Sequence, residues 1–151
     1  MESYKHRQSS TLMVVAGLAS TAIILVAAWT APVFPSWSVT ILMACFILVF
    51  GQFSSLTATV THESVVASFG SGYIKRTIPV TRIKSAKVVR NSWLSGWGIR
   101  LIAGGWMFNV AGYDAVELEL TSGSRFRIGT DEPQQLEAAI LEAMSLAGRN
   151  G

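Results

Sequence analysis

The chain has 151 residues, of which 50% are hydrophobic and only 14% are charged, with a formal net charge of +3. Soluble proteins average about a quarter charged residues, so the composition favours a membrane protein. Its single cysteine, Cys45, excludes an intrachain disulfide and any paired-cysteine metal or redox motif. The small net charge gives no reason to expect a nucleic-acid partner.

A run without Lys, Arg, Asp or Glu extends from Gln8 to His62. It contains two apolar segments, residues 11–30 and 37–53, and about 19 helical residues span roughly 28 Å, close to the thickness of a bilayer core. The link between them contains Pro32 and Pro35 and is too short for anything but an antiparallel return. We therefore predict a transmembrane helical hairpin over residues 11–53, after a polar lead over residues 1–10. A cleaved signal peptide is the alternative, but a second apolar segment follows immediately.

Flanking charges predict the orientation of this hairpin. Lys5 and Arg7 precede the first helix, the link has no charge, and basic residues follow the second helix. The positive-inside rule then places both termini in the cytoplasm, in a multi-pass protein of the cell inner membrane. Small residues recur at a spacing of four in the first helix, as in Ala16 with Ser20 and Gly17 with Thr21. This patch packs either against the second helix or against a neighbouring protomer.

Residues 54–151 are predicted to form a cytoplasmic domain of sheet followed by one helix. The period of apolar residues changes to two from Leu56 onward, and strand patterns recur as far as a hairpin with the turn 121–124. Asp131 is a candidate helix cap, with an apolar stripe following it and Gly148 as a candidate stop. We expect an α+β membrane protein with a strongly bent antiparallel sheet or open barrel closed by a C-terminal helix.

Three motifs in this order resemble the bacterial pleckstrin-homology (PH) domain family. They are Gly96-Trp97-Gly98-Ile99-Arg100, the stretch 105–116 with Gly105-Trp106 and Gly112-Tyr113-Asp114, and Ile128-Gly129-Thr130-Asp131-Glu132-Pro133. The resemblance covers about residues 56–144, and the N-terminal hairpin is similar to that of membrane-anchored members. It implies a bent sheet of about seven strands capped by a C-terminal helix, and it implies no catalytic residues. The first inter-strand loop, residues 61–64, lacks the basic residues with which phosphoinositide-binding PH domains hold their ligand.

The sequence offers no constellation that commits it to a reaction, so we expect no enzyme, cofactor or metal site. His62 and Glu63 are too few ligands for zinc. Glu117 and Glu119 alternate with apolar residues, which places them on the solvent face of a strand rather than in a catalytic pair. The glycines at 96, 98, 104 and 105 have the spacing of no phosphate-binding loop.

Charge segregation and tryptophans supply the candidate contact residues. Residues 75–100 carry seven basic residues and no acidic one, and a basic face below a bilayer favours anionic lipid. The candidates for anionic-lipid or partner contact are Lys75, Arg76, Arg82, Lys84, Lys87 and Arg90. The candidate interaction aromatics are Trp93, Trp97 and Trp106. Ordinary solvent exposure of the charges and ordinary packing of the indoles are the alternatives.

The function these patterns favour is a non-enzymatic, membrane-anchored PH-like module. We expect it to mediate protein interaction or homo-oligomeric assembly at the cytoplasmic face, with membrane lipid, a protein partner or further copies of itself as partners. Two alternatives stay open. One is a sensor of anionic lipid or of a small ligand, and the other is an accessory subunit of a membrane enzyme or transporter.

Overall fold

The computed structural model describes residues 2–30, 36–93 and 96–149. Its architecture is α+β, with an N-terminal helix pair, two sheets and a C-terminal helix. The helices are α1 (Thr11–Thr30), α2 (Ser36–Phe53) and α3 (Pro133–Arg149). The strands are β1 (Glu2–Ser9), β2 (Ser55–Thr61), β3 (Ser64–Phe69), β4 (Ile74–Pro79), β5 (Ile83–Arg90), β6 (Gly98–Ile102), β7 (Gly105–Asn109), β8 (Asp114–Leu120) and β9 (Arg125–Gly129).

The strands form a four-stranded sheet of order β1-β2-β3-β4 and a five-stranded sheet of order β5-β8-β9-β7-β6. Neighbouring strands are antiparallel except β7 and β9, which are parallel. The helix pair is an insertion between two paired strands, because β1 leads into α1, α2 leads into β2, and β1 pairs with β2 along its length.

The two sheets and α3 enclose one core. Val60, Val116, Leu118 and Ile128 are essentially inaccessible to solvent, as the alternation of β8 and β9 predicts. A chain of aromatic contacts runs from the end of α2 into this core, with ring centroids 5.0 Å apart for Phe53–Phe69, 4.8 Å for Phe69–Phe108 and 5.1 Å for Phe108–Phe126. The helix pair is therefore packed onto the sheet domain as well as connected to it.

The helices α1 and α2 expose most of their apolar side chains. Leu18 and Ile23 are each 68% exposed, and Gly17 is the one buried residue of α1. The length and mean hydropathy of α1 are sufficient to cross a membrane, whereas the apolar part of α2, Trp37–Phe53, is a shorter helix. Gly17 lies against Phe50, since a β-carbon added at Gly17 would lie 3.0 Å from Phe50 Cβ. At this position, the small-residue patch packs within the chain.

Five details differ from the sequence predictions. The lead predicted over residues 1–10 contains β1, and the described part of the domain predicted over residues 54–151 has eight strands, β2–β9, rather than about seven. The β7–β9 pair departs from an all-antiparallel sheet, and α3 continues one residue past Gly148. Asp131 contacts His6, with Asp131 Oδ1 2.7 Å from His6 Nε2, because β1 passes beside the start of α3. Pro32 and Pro35, the prolines of the predicted link, lie outside the described residues.

Candidate functional site

The junction between the helix pair and the sheet domain is tight on both sides. Ser10 alone separates β1 from α1, and Ser54 alone separates α2 from β2. The N–H of Ser10 donates to the carbonyl of Ser54 over 2.7 Å, and Ser9 pairs with Ser55 in the ladder. Because hydrogen bonding continues up to the helix ends, the sheet domain has little freedom to move relative to the helices.

Two glutamines at this junction hold the nearest loops. Gln52 donates from Nε2 to the carbonyl of Phe69 over 3.1 Å, and its Oε1 accepts from the hydroxyl of Ser71 over 2.6 Å. On the other side, the buried Gln8 donates from Nε2 to the carbonyl of Ala111 over 3.4 Å. The β3–β4 turn and the β7–β8 turn therefore both lie at the foot of the helix pair.

A third loop, which follows β5, contacts the β7–β8 turn. The N–H of Asn91 donates to the carbonyl of Tyr113 over 2.6 Å. A pocket of about 200 Å³ lies between this loop and the turn. It is lined by Ser92, Trp93, Gly96, Trp97, Asn109, Gly112 and Tyr113. We call residues 70–73, 91–93, 96–97 and 111–113 together the rim.

The predicted basic residues do not form one continuous face. Lys75 and Arg76 lie on β4, an edge strand of the first sheet, whereas Lys84, Lys87 and Arg90 lie on β5, an edge strand of the second. Lys75 and Arg90 lie near the rim, because β4 begins and β5 ends there. Arg82 and Lys84 lie at the opposite end of the domain, around the short 3-10 turn Val80–Arg82.

Several of these charges have partners. Lys84 Nζ donates to Glu119 Oε1 over 2.9 Å, and this contact holds the pKa of the Glu119 carboxyl below its usual range. The guanidinium of Arg76 lies 5.8 Å from the centre of the Phe126 ring, a cation–π distance. Edge strand β5 is covered in part by α3, since Glu137 Oε1 accepts the N–H of Val88 over 3.1 Å.

The three tryptophans predicted as interaction residues lie in two different places. Trp93 and Trp97 line the rim pocket, and Trp93 is 75% exposed. Trp106 lies on β7 opposite Leu101 of β6, away from the pocket, and it is 48% exposed while Leu101 is 73% exposed. The tryptophans are therefore surface residues of the domain, not its core.

Of the two carboxylates of β8, Glu119 pairs with Lys84 of β5 and Glu117 forms ion pairs with β9. Glu117 Oε2 accepts from Arg127 Nε at a close 2.6 Å, and Arg125 Nη1 lies 3.9 Å from Glu117 Oε1. Arg127 also donates to Asn91 Oδ1 over 3.1 Å, which connects this ion pair to the rim. Glu117, predicted on the solvent face of its strand, is largely covered by these cross-strand partners, and its side chain is 17% exposed.

Sequence reasoning missed Gln8, Gln52, Tyr73 and Tyr113. Tyr73 is 91% exposed and Tyr113 is 43% exposed, and both lie in turns next to glycines. The sequence does not indicate which of the glycine-containing turns meet the helix pair. The signal available in the sequence was a glutamine shortly before the first apolar segment, Gln8, and another near the end of the second, Gln52.

Among the described residues, no three or more His, Cys, Asp or Glu side chains come together as a metal site. A scan against protein-family models finds no match for this chain, and a search of the curated proteins also finds no match.

Proposed function

We propose that this chain is a non-enzymatic, membrane-anchored module with a PH-like domain. In this proposal the helix pair crosses the inner membrane twice, and the domain mediates protein interaction or homo-oligomeric assembly at the cytoplasmic face. The bacterial PH resemblance of residues 56–144 and the arrangement of two sheets beside a C-terminal helix support the PH-like part.

The pairing of β1 with β2 is the observation that carries the anchoring proposal. A single crossing by α1 would place these two strands on opposite sides of the bilayer, so an inserted α1 requires α2 to return. The exposed apolar surface of the pair, including Leu18 and Ile23, supports insertion because water tolerates such a surface poorly. The positive-inside rule supports a cytoplasmic location for β1 and the sheets.

Labelling of single cysteines in sealed membrane vesicles of known orientation tests this arrangement. On a Cys45→Ala background, Ser3→Cys in β1 and Ser122→Cys in the β8–β9 turn are expected to react with an impermeant maleimide from the cytoplasmic side. Thr30→Cys at the end of α1 should react only from the other side. Labelling of Ser3→Cys and Ser122→Cys from opposite sides, or of all three from one side, contradicts a two-pass anchor.

The β6–β7 hairpin supports the interaction role. Strand β6 is an edge of its sheet, and it exposes Leu101 at 73% and Ile99 at 38% beside the half-exposed Trp106. An open edge with apolar side chains is a template for pairing with a strand of another chain. Edge pairing with a second copy, or with a partner strand, would cover it.

The mass of the full-length protein in detergent, measured over a wide concentration range, tests assembly. We expect oligomers from the wild type and a shift to monomer for Leu101→Glu, because the charge is placed on the pairing edge. Leu141→Glu on α3, where the leucine is 45% exposed, is the matched control and should leave the oligomer unchanged. A wild type that is monomeric at every concentration contradicts homo-oligomeric assembly.

Anionic-lipid or small-ligand sensing is a second candidate function. The rim pocket of about 200 Å³ favours a small ligand, and Lys75 and Arg90 beside the rim favour anionic lipid. Lys84 contributes less to this role because Glu119 already pairs with it.

A further inference from the structure

The rim lies at the depth where a bilayer changes from hydrocarbon to headgroups, provided that the helix pair is inserted as proposed above. Gln52, within α2 itself, holds the β3–β4 turn. Gln8, which holds the β7–β8 turn, precedes Ser10 by two residues, about 7 Å of extended chain. The headgroup layer is about 5–7 Å thick on each side, so side chains on the rim reach it.

The rim carries large aromatic side chains that the domain does not bury. Tyr73 is 91% exposed, Trp93 is 75% exposed and Tyr113 is 43% exposed. They lie in three different loops, which only the tertiary structure brings to the foot of the helices. Trp and Tyr favour this depth of a membrane, because their rings are apolar while their N–H and O–H groups still form hydrogen bonds.

Basic side chains accompany these aromatics. Arg7 donates to the hydroxyl of Ser55 over 3.0 Å at the junction. Lys75 follows the β3–β4 turn within two residues of Tyr73, and Arg90 directly precedes the loop that carries Trp93. One carboxylate, Asp114, stands opposite Arg90 in the β5–β8 ladder. The balance of charge beside the rim is positive, which complements lipid phosphates.

We propose that Tyr73, Trp93 and Tyr113 form an aromatic collar that inserts into the lipid headgroup layer around the foot of the helix pair. Its occupant is the membrane surface itself, and the apolar helices continue directly into it through Ser10 and Ser54. The collar would fix the depth and tilt of the sheet domain and leave the β6–β7 hairpin free for a partner. This inference rests on the proposed membrane anchor.

Fluorescence quenching by phospholipids brominated near the headgroup end of their chains tests the collar in the full-length protein. The chain has five tryptophans, and three variants each retain one of them, with the others replaced by phenylalanine. The variant retaining Trp93 reports the collar, the variant retaining Trp106 reports the exposed surface away from the rim, and the variant retaining Trp29 reports insertion of α1.

We expect the emission of Trp93 to fall at least about twofold in brominated vesicles, since interfacial side chains lie about 5–10 Å into the headgroup and acyl boundary. Trp29 should also be quenched, and Trp106 should not. Quenching of Trp29 without quenching of Trp93 overturns the collar and leaves the anchor intact. Equal quenching of Trp93 and Trp106 also overturns it, because contact is then not confined to the rim. Absence of quenching at Trp29 overturns the anchor, and the collar with it.

Discussion

Tyr4 connects β1 to the start of α3, and its phenol donates to Glu132 Oε2 over 3.3 Å. Burial, together with the nearby charge of Glu132, raises the pKa of Tyr4 to about 12. The folded pKa is thus above the unfolded value of about 10. The stability that this contact contributes is fully present below pH 10 and is lost as the pH rises through 12.

Replacement of Glu132 tests this electrostatic coupling. Glu132→Gln should lower the pKa of Tyr4 toward 10 but not restore it fully, because burial is the larger cause. The measurement is the phenolate absorbance of the detergent-solubilised protein against pH, with Tyr4→Phe subtracted to isolate the signal of this tyrosine. An unchanged titration in Glu132→Gln would show that the carboxylate does not act on the phenol.

Gly17 is a second residue whose role is visible only in the structure. A β-carbon added there would lie 3.0 Å from Phe50 Cβ, whereas one added at Gly51 would have no neighbour within 4 Å. Gly17→Val should therefore destabilise the helix pair by about 1–3 kcal/mol through overpacking, and Gly51→Val should change it little. Unfolding by SDS, followed by far-ultraviolet circular dichroism, compares the two. Equal effects would place the close contact of α1 elsewhere.

At the scale of elements, periodicity predicted the central strands and α3 well. The β8–β9 hairpin could be predicted because Val116, Leu118, Phe126 and Ile128 alternate with charged residues, and all four are buried in the structure. Strand β1 could not, since its inward-facing residues include polar His6 and Gln8, which bind tertiary partners rather than an apolar core. Strand patterns measure hydrophobicity, so a strand that is held by hydrogen bonds gives little signal.

The same limit explains why the grouping of the candidate site residues could not be predicted from the sequence. Exposed aromatics and basic residues could be listed from the sequence, but their grouping depends on which loops meet the helix pair. Trp93 lines the rim pocket, whereas Trp106 lies on β7 away from it. The parallel β7–β9 pair is likewise a long-range contact that no local pattern encodes.

The β3–β4 turn offers a test of how closely the sheet domain is attached to the helices. Gly70 and Gly72 both have positive φ, at 46° and 89°, so an alanine strains the backbone at either position. Only at Gly70 does the new β-carbon approach the helix pair, at 2.5 Å from the carbonyl oxygen of Gln52.

Gly70→Ala should therefore lower the thermal stability of the detergent-solubilised protein more than Gly72→Ala does. We expect a difference of about 1–3 kcal/mol, the range for overpacking a close contact. Proteolysis at the junction should also become faster in Gly70→Ala alone. If the two variants are equally stable and equally resistant, the turn does not depend on its contact with α2.

At the scale of the whole molecule, the helix pair and the sheet domain form one connected unit. The helix pair is inserted between β1 and β2 with one residue on each side, and the aromatic contacts from Phe53 to Phe126 continue the connection into the core. A flexible linker would let the domain sample many orientations above a membrane. With the helix pair inserted as proposed, this attachment would instead present one fixed surface, the rim, to the bilayer.

In the proposed orientation the basic residues lie at different distances from the membrane, and this predicts how the protein responds to anionic lipid. Lys75 and Arg90 flank the rim, whereas Lys84 lies at the opposite end of β5 and pairs with Glu119. Each basic residue close to an anionic surface contributes about 1 kcal/mol. Lys75→Glu combined with Arg90→Glu should thus remove most of any extra stability that anionic lipid gives over zwitterionic lipid.

Thermal unfolding of the full-length protein in nanodiscs of the two lipid types provides the measurement, and Lys84→Glu is the matched control that should retain the lipid preference. High salt should weaken the wild-type preference, because it screens charges separated by more than a few ångströms of water. A preference that survives in the double variant, or that is lost equally in Lys84→Glu, argues against recognition of anionic lipid at the rim. That result would leave the proposed aromatic collar untouched, since partition of Trp and Tyr into the headgroup layer does not depend on lipid charge.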